Sequence, residues 1–461
     1  MRSRVGKGSV SAIVLDPPLD KVRELQRTLY RSAKADPQRR FHALYDKVYR
    51  SDVLERAWGQ VRANRGAAGI DQVTLADVEQ YGIDRLLREL ASSLQDGSWR
   101  PQPARRVWIP KPGSDEQRPL SIPAVVDRIV HTAVKIVIEP IFEADFLPSS
   151  FGFRPKRSAH DALQVLVDEA WDGRCWVAET DIASCFEAID HGGLMQALEE
   201  RICDQSLLTL VRAMLRAGVM EHGTVHHPVT GTPQGGVISP LLANIYLHRL
   251  DRRWQTEGCG RLVRYADDLV VMCASRRQAN DALARLSAFL GDLGLAPKAS
   301  KTRIVHLRQG GNGVDFLGFH HRMVQGNTPR SRHLVFLARW PSRKAMQHAR
   351  DRIRAITARS RLWADPEDIV GDLNGFLRGW AGYFRYGNSA HAFLQINNYA
   401  AHRLSLWIAK RHKRHRLYGW HLVNDQSPNR MGLLNLNGSV VAPRPHRDWR
   451  EKPNAAGERR R

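Results

Sequence analysis

Asp267 and Asp268 stand side by side between two short β-prone runs, Leu262-Val263-Arg264-Tyr265 and Leu269-Val270-Val271-Met272. Two such runs around so short a connection read as a β-hairpin, with the acidic pair at its tip. Adjacent carboxylates repel, and each raises the other's pKa unless a cation neutralises them. Hard divalent cations prefer carboxylate oxygens, and Mg²⁺ in particular is held by one or two carboxylates together with substrate phosphates. Taken alone, the four residues Tyr265-Ala266-Asp267-Asp268 also fit an ordinary acidic turn, where Asp serves local hydrogen bonding.

A second acidic strand shifts that balance. Trp176-Val177-Ala178-Glu179-Thr180-Asp181-Ile182 is another β-prone run ending in an acid, and it leaves the strand as Ala183-Ser184-Cys185-Phe186. A two-metal site needs carboxylates from more than one segment to hold ions roughly 3.5–4 Å apart, and Asp181 beside the hairpin tip would supply the third. Between the two lies Thr232-Pro233-Gln234-Gly235-Gly236, a loop able to approach a ligand closely, followed by an apolar helix.

In order and spacing, Asp181-Ile182 with Phe186, Pro233-Gln234-Gly235 and Tyr265-Ala266-Asp267-Asp268 resemble the palm of a reverse transcriptase. Ile109-Pro110-Lys111-Pro112 and Arg118-Pro119-Leu120-Ser121-Ile122-Pro123 resemble its fingers, and Ser150-Phe151-Gly152-Phe153-Arg154-Pro155 the next block. Leu293-Gly294-Leu295, Ser300-Lys301-Thr302 and Val314-Asp315-Phe316-Leu317-Gly318-Phe319 resemble its closing palm motifs. Leu373-Asn374-Gly375-Phe376-Leu377-Arg378-Gly379-Trp380-Ala381-Gly382-Tyr383-Phe384 is similar to the maturase, or thumb, domain of group II intron-encoded proteins. The resemblance covers about residues 52–415. It implies an α+β right-hand polymerase, with fingers and a palm built on an antiparallel sheet, followed by an α-helical thumb/maturase domain. The expected division is a mostly helical N-terminal extension (1–100), fingers and palm (101–320), thumb/maturase (321–420) and a basic C-terminal segment (421–461).

The resemblance also assigns roles. Asp181 and Asp267 would bridge two Mg²⁺ ions, with Mn²⁺ as a substitute, the Ile182 carbonyl as a backbone ligand and Asp268 in support. Lys111 and Arg118 would clamp the triphosphate; the alternative is ordinary surface cations. Phe186 would exclude a ribose 2′-hydroxyl by bulk, unless it is simply a core residue. Gln234 would lie against template and primer, and Tyr265 either packs near the primer end or anchors the hairpin. Lys301 and the arginines Arg350, Arg352 and Arg354 are expected to contact template, primer or folded RNA. Tyr383 and Phe384 are expected to build the thumb core.

Composition agrees with a polyanion partner. The formal charge is +23 and the pI about 10.4. The excess is uneven: residues 321–360 carry ten Lys/Arg against one acid, and residues 401–461 carry fourteen against four. Such blocks imply a contacted backbone, although for residues 445–461 a solvated tail fits equally. The expected partners are intron RNA, an RNA template with a DNA primer, deoxynucleoside triphosphates and a DNA target; the oligomeric state is open. Cys175, Cys185, Cys203, Cys259 and Cys273 show no metal-ligand spacing and read as reduced thiols. With no secretory leader and no apolar run of membrane-spanning length, a cytoplasmic protein without membrane partners is expected.

Along the chain, Pro17-Pro18-Leu19-Asp20 is expected to open one helix and Asp52 to cap another over residues 53–65. A helix is expected at 125–142 and a linker at 329–341. From Arg343, Met346, Ala349, Ile353 and Ile356 recur at helical spacing, with arginines on the other face. No cysteine follows Cys273, so the Cys-rich endonuclease domain of many relatives is not expected, nor is target-strand nicking. A host-adopted polymerase without an intron and an RNA-binding splicing factor with a decayed polymerase are the alternatives. The intact Asp181, Asp267 and Asp268 speak against the second.

Overall fold

A computed structural model describes residues 20–110, 117–221, 224–226, 230–231, 235–308, 311–326, 329, 332–425 and 430–441. The chain opens with five helices, α1 (Lys21–Ala35), α2 (Tyr45–Val48), α3 (Ser51–Ala63), α4 (Leu75–Tyr81) and α5 (Ile83–Gln95). Asp20 caps α1, its carboxylate accepting the Arg23 N–H at 3.1 Å. Asp52 does not cap α3, contrary to expectation. The cap position is Arg50, and Asp52 sits in the first turn, where a carboxylate suits the helix dipole and pairs with the Arg50 guanidinium at 2.6 Å.

Strands β1 (Ala104–Pro110) and β2 (Gln117–Ile122) form an antiparallel pair, followed by the buried helix α6 (Val125–Glu143) and by α7 (Ala159–Trp171). Next come β3 (Trp176–Asp181), α8 (Cys185–Ala188), α9 (His191–Glu199), α10 (Gln205–Arg216), β4 (Val219–Glu221) and β5 (Thr224–His226). The middle of the chain ends with α11 (Ser239–Glu257), β6 (Arg261–Tyr265), β7 (Asp268–Cys273), α12 (Arg276–Asp292) and β8 (Arg303–His306). Two four-stranded sheets result. The palm sheet runs β6-β7-β3-β8, antiparallel throughout, and the fingers sheet runs β2-β1-β4-β5.

A third sheet, β11-β10-β9, follows from β9 (Val314–Phe316), β10 (Phe319–Gln325) and β11 (Val335–Pro341). Most of the stretch expected as a linker is therefore β11. The sequence hid it because Pro329 and Pro341 bracket it, yet Pro341 closes the strand in register with Phe319, where a missing N–H costs little. Because β10 runs across residue 320, a palm–thumb division there would cut a hairpin. Helices α13 (Arg343–Ile356), α14 (Pro366–Phe384), α15 (Ala390–Arg411) and α16 (Arg416–Trp420) complete the helical end. Met346, Ala349, Ile353 and Ile356 form the buried face of α13.

The palm sheet separates two hydrophobic cores. Side chains alternate across a strand with period two. In β7, Leu269, Val271 and Cys273 belong to the core shared with the N-terminal helices and α6, while Val270 and Met272 belong to the core shared with α7 and the thumb helices. In β3, Val177 and Ala178 divide the same way. Burial on both faces explains why these strands read as continuous apolar runs.

Candidate active site

Two buried strands carry the acids to one edge of the palm sheet. Asp181 ends β3, Asp268 begins β7, and the two are direct cross-strand partners. Between β6 and β7 the connection is two residues, since Tyr265 pairs with Asp268. Ala266 takes the left-handed region at φ 57°, and Gly152 makes room for it: a Cβ at 152 would lie 2.5 Å from the Ala266 nitrogen. The Ile182 N–H donates to the Asp267 carbonyl at 3.2 Å, joining the hairpin tip to the end of β3. Phe153, Ser184 and Leu317 also have positive φ, at 57°, 43° and 49°, so strained backbone gathers in the very loops that frame the acids.

Asp181 is 7% exposed, and its Oδ1 is buried without a hydrogen-bond partner. Its Oδ2 accepts from Lys301 Nζ at 2.6 Å, and the same ammonium lies 4.0 Å from Asp268 Oδ1. Burial, then the Asp181 charge, raises the pKa of Asp267; Lys301 and Arg118 act in the opposite sense. Burial, then repulsion by Asp181 and Asp267, pushes Asp268 up to about 7. Partial burial works against the Lys301 ammonium, but its hydrogen bond to Asp181 and the neighbouring carboxylates hold it above the usual lysine value. The site thus carries more negative charge than its own residues neutralise. Among the described residues, no three His, Cys, Asp or Glu side chains close into a cation cage. Asp181 and Asp268 instead line an open cavity of about 1050 Å³, together with Leu317, Gly318, Lys344, Gln347 and Phe384.

The other residues singled out from sequence distribute around this edge. Ile182 is buried, and its carbonyl takes no hydrogen bond from any donor among the described residues. Arg118 is exposed on β2, and its charge reaches Asp267. Phe186 lies half-buried on α8 against the first core, and Tyr265 packs against the second. Lys111 and Gln234 lie outside the described residues. Arg352 stands about 200° around α13 from both Arg350 and Arg354, which are four residues apart and so share a side of the helix. Arg350 lines a second cavity of about 1170 Å³ with Arg303, Arg322, Arg343 and Lys344. Arg354 is engaged by Asp351 at 2.8 Å and the Tyr399 hydroxyl at 3.1 Å, and Arg352 is exposed elsewhere.

A supporting network escaped the sequence reading. Arg264 is fully buried, gripping Asp251 of α11 through Nε (2.8 Å) and Nη2 (2.5 Å). Its remaining donors reach Asn244 Oδ1, Ser150 Oγ and the Ala266 carbonyl, while Asn244 donates to the Gly152 carbonyl at 2.8 Å. Helix α11, the loop before α7 and the hairpin tip are thereby fixed to one guanidinium. No local pattern signals this, since Asp251 looks like any acid on a helix.

An antiparallel palm sheet with carboxylates at one edge, a fingers sheet beside it and a helical thumb across a cleft define a right-hand nucleic-acid polymerase. Residues 109–321 match the family described as Reverse transcriptase (RNA-dependent DNA polymerase), and residues 346–424 match the Group II intron, maturase-specific domain. Protein YkfC of Escherichia coli (strain K12) is 34% identical over 345 residues, 66% of this chain and 88% of that protein. Group II intron-encoded protein LtrA of Lactococcus lactis subsp. cremoris is 40% identical over 212 residues, 46% of this chain and 35% of that protein. The Uncharacterized 91 kDa protein in cob intron of Schizosaccharomyces pombe is 28% identical over 421 residues, 76% of this chain and 51% of that protein. The match to the Lactococcus protein spans about a third of that relative's length. The chain belongs to the group II intron reverse transcriptase–maturase family. Among the described residues, no helix is long and apolar enough to cross a membrane.

Proposed function

We propose that this protein is an RNA-directed DNA polymerase encoded by a group II intron, which extends a primer on an RNA template and holds its intron RNA to assist splicing and mobility. The observation that carries the polymerase reading is the buried Oδ1 of Asp181, which has no hydrogen-bond partner among the described residues, in a residue paired across the strands with Asp268. An acceptor left without a donor in a buried position is costly unless a ligand completes it. Together with the raised pKa values of Asp267 and Asp268, it fits a site that takes divalent cations.

Asp181 and Asp267 would hold those ions, with Asp268 and the Ile182 carbonyl in support. Bound there, two Mg²⁺ ions would lower the pKa of a primer 3′-hydroxyl and neutralise a departing pyrophosphate. The chain's own residues do the positioning. Arg118, with Lys111, binds the triphosphate from the fingers side. Phe186 offers bulk and no hydrogen-bonding group to the sugar, so a 2′-hydroxyl meets an apolar ring. Lys301 balances the Asp181 charge when the cleft is empty. Incorporation of deoxynucleotides on an RNA template with Mg²⁺, compared between the native protein and Asp181→Asn, tests the reading. Full incorporation by a folded Asp181→Asn protein would overturn it.

The RNA-holding role is supported by the basic cavity beside α13. Folded RNA is read through shape, phosphates and 2′-hydroxyls, and Arg322, Arg343, Lys344 and Arg350 offer four cations on one surface. Arg303 in the same lining is already paired with Glu179, and Asp315 is the one carboxylate among the described lining residues. Trp340 lies there under the Arg322 guanidinium, 5.5 Å from the ring centre. A catalytic intron RNA surrounding the reading frame would separate this reading from a host-adopted polymerase.

A further inference from the structure

The turn between β9 and β10 consists of Leu317 and Gly318, both in the left-handed region at φ 49° and 78°. Two positive φ values in a two-residue loop suit a tight hairpin turn, but they favour Gly, Asn or Asp rather than Leu. Something outside the hairpin must therefore hold Leu317 in place, and the surroundings identify it. The Tyr383 hydroxyl, from the last turn of α14, donates to the Leu317 carbonyl at 2.9 Å. Ser342 N–H donates to the Gly318 carbonyl at 2.9 Å. The Phe384 ring lies 3.6 Å from where a Gly318 Cβ would stand, so it backs the turn without crowding it. Both carbonyls of the turn are thus tied down from the thumb side.

The other side of the turn faces the cleft. Leu317 and Gly318 line the same cavity as Asp181, Asp268 and Lys301. Tyr383 is itself rigidly seated: its ring meets Phe319 at 5.5 Å and His160 of α7 at 5.1 Å, and Phe319 is fully buried. Its hydroxyl oxygen is therefore held in one place beside the turn.

We infer that Tyr383 is a positioning residue of the polymerase reaction, through which the maturase helix α14 sets the Leu317–Gly318 turn against the primer end. The inference rests on the proposed polymerase site and goes beyond it, because it gives a single hydroxyl of the maturase helix a role in the rate of DNA synthesis. A misplaced nucleophile slows chemistry without weakening a binding surface spread over many contacts.

The test is single-nucleotide incorporation by the full chain on a defined primer–template, with primer–template affinity and thermal unfolding measured in parallel. Tyr383→Phe keeps the ring and removes the hydroxyl. Gly318→Ala strains the turn while leaving room for the new methyl, and provides a second route to the same displacement. The expected result for both is a kcat about tenfold lower, the size of one lost hydrogen bond, with affinity for primer–template within about twofold. Unchanged kcat in both variants overturns the inference, and so does a Tyr383→Phe protein in which stability, affinity and rate fall together. A native protein that incorporates no nucleotide would instead remove the polymerase reading itself.

Discussion

Arg264 and Asp251 form a two-point ion pair from which solvent is wholly excluded, and Arg264 stands three residues before Asp267 in the strand leading to the hairpin tip. Removing one partner strands the other as a buried, uncompensated charge, which typically costs about 3–5 kcal/mol. Asp251→Ala should lower the stability of the protein by that order in urea unfolding, and primer extension should fall with it. A loss below about 1 kcal/mol would mean that the pair is dispensable to the fold.

Asp267→Asn keeps the size of the side chain and removes one charge from the metal site. Primer extension with Mg²⁺ should drop by at least about 10²–10³, as when one electrostatic element of an active site is removed. Intron RNA binding and splicing should persist, because the basic cavity beside α13 is untouched. Loss of splicing as complete as the loss of synthesis, in a folded protein, would show that the two activities do not use separable surfaces.

Asp268 gives a pH signature in the metal-free protein. Its pKa is about 7 in the fold against 3.8 ordinarily, so the folded state holds a proton that the unfolded state has lost between those values. Stability from this group is therefore full below about pH 4 and declines as pH rises toward 7. Asp268→Asn, unfolded in a chelator, should be more stable than the native protein at pH 8 by on the order of 1 kcal/mol, a common size for a single stabilising change. The difference should vanish near pH 4. An equal difference at both pH values would place the repulsion elsewhere.

Phe186→Ala opens space beside the sugar without altering the carboxylates. Ribonucleotide incorporation should rise relative to deoxyribonucleotide by roughly tenfold or more, the scale on which a pocket discriminates by bulk. An unchanged sugar preference would return Phe186 to a purely packing role.

The thumb arginines should now be told apart. Arg350→Gln removes a cation from the basic cavity, so the slope of log affinity for intron RNA against log salt should fall by roughly 0.7–0.9. Arg354→Gln should change it less, since Asp351 and Tyr399 already engage that guanidinium. Equal slopes for the two variants would count against the cavity as an RNA surface.

What the sequence disclosed was whatever repeats at short range. The apolar runs of β3, β6 and β7 and the buried stripe of α13 follow directly from strand and helix periodicity, and the helix expected at residues 125–142 is α6 almost to the residue. Concealed were the relationships that depend on distant partners or on punctuation. Arg264 and Asp251 meet only because β6 folds back on α11. The turn at Leu317 lacks the Asn or Gly that would announce its first position. Strand β11 hides between prolines, and while the 100° step per residue sets Arg352 apart from Arg350 and Arg354, only the distant Tyr399 and the neighbouring Asp351 distinguish those two.

Because the residues of β7 belong by turns to two different cores, the strand that bears Asp268 is a party wall. Demolishing the house on either side leaves it exposed. A fragment that stops after β8 would keep α7 on the Val270 and Met272 face but lose the thumb helices packed beside it, and the apolar surface so uncovered invites aggregation. The two proposed roles, synthesis and RNA holding, thus rest on a shared core, and removing the thumb would take part of the palm's own packing with it.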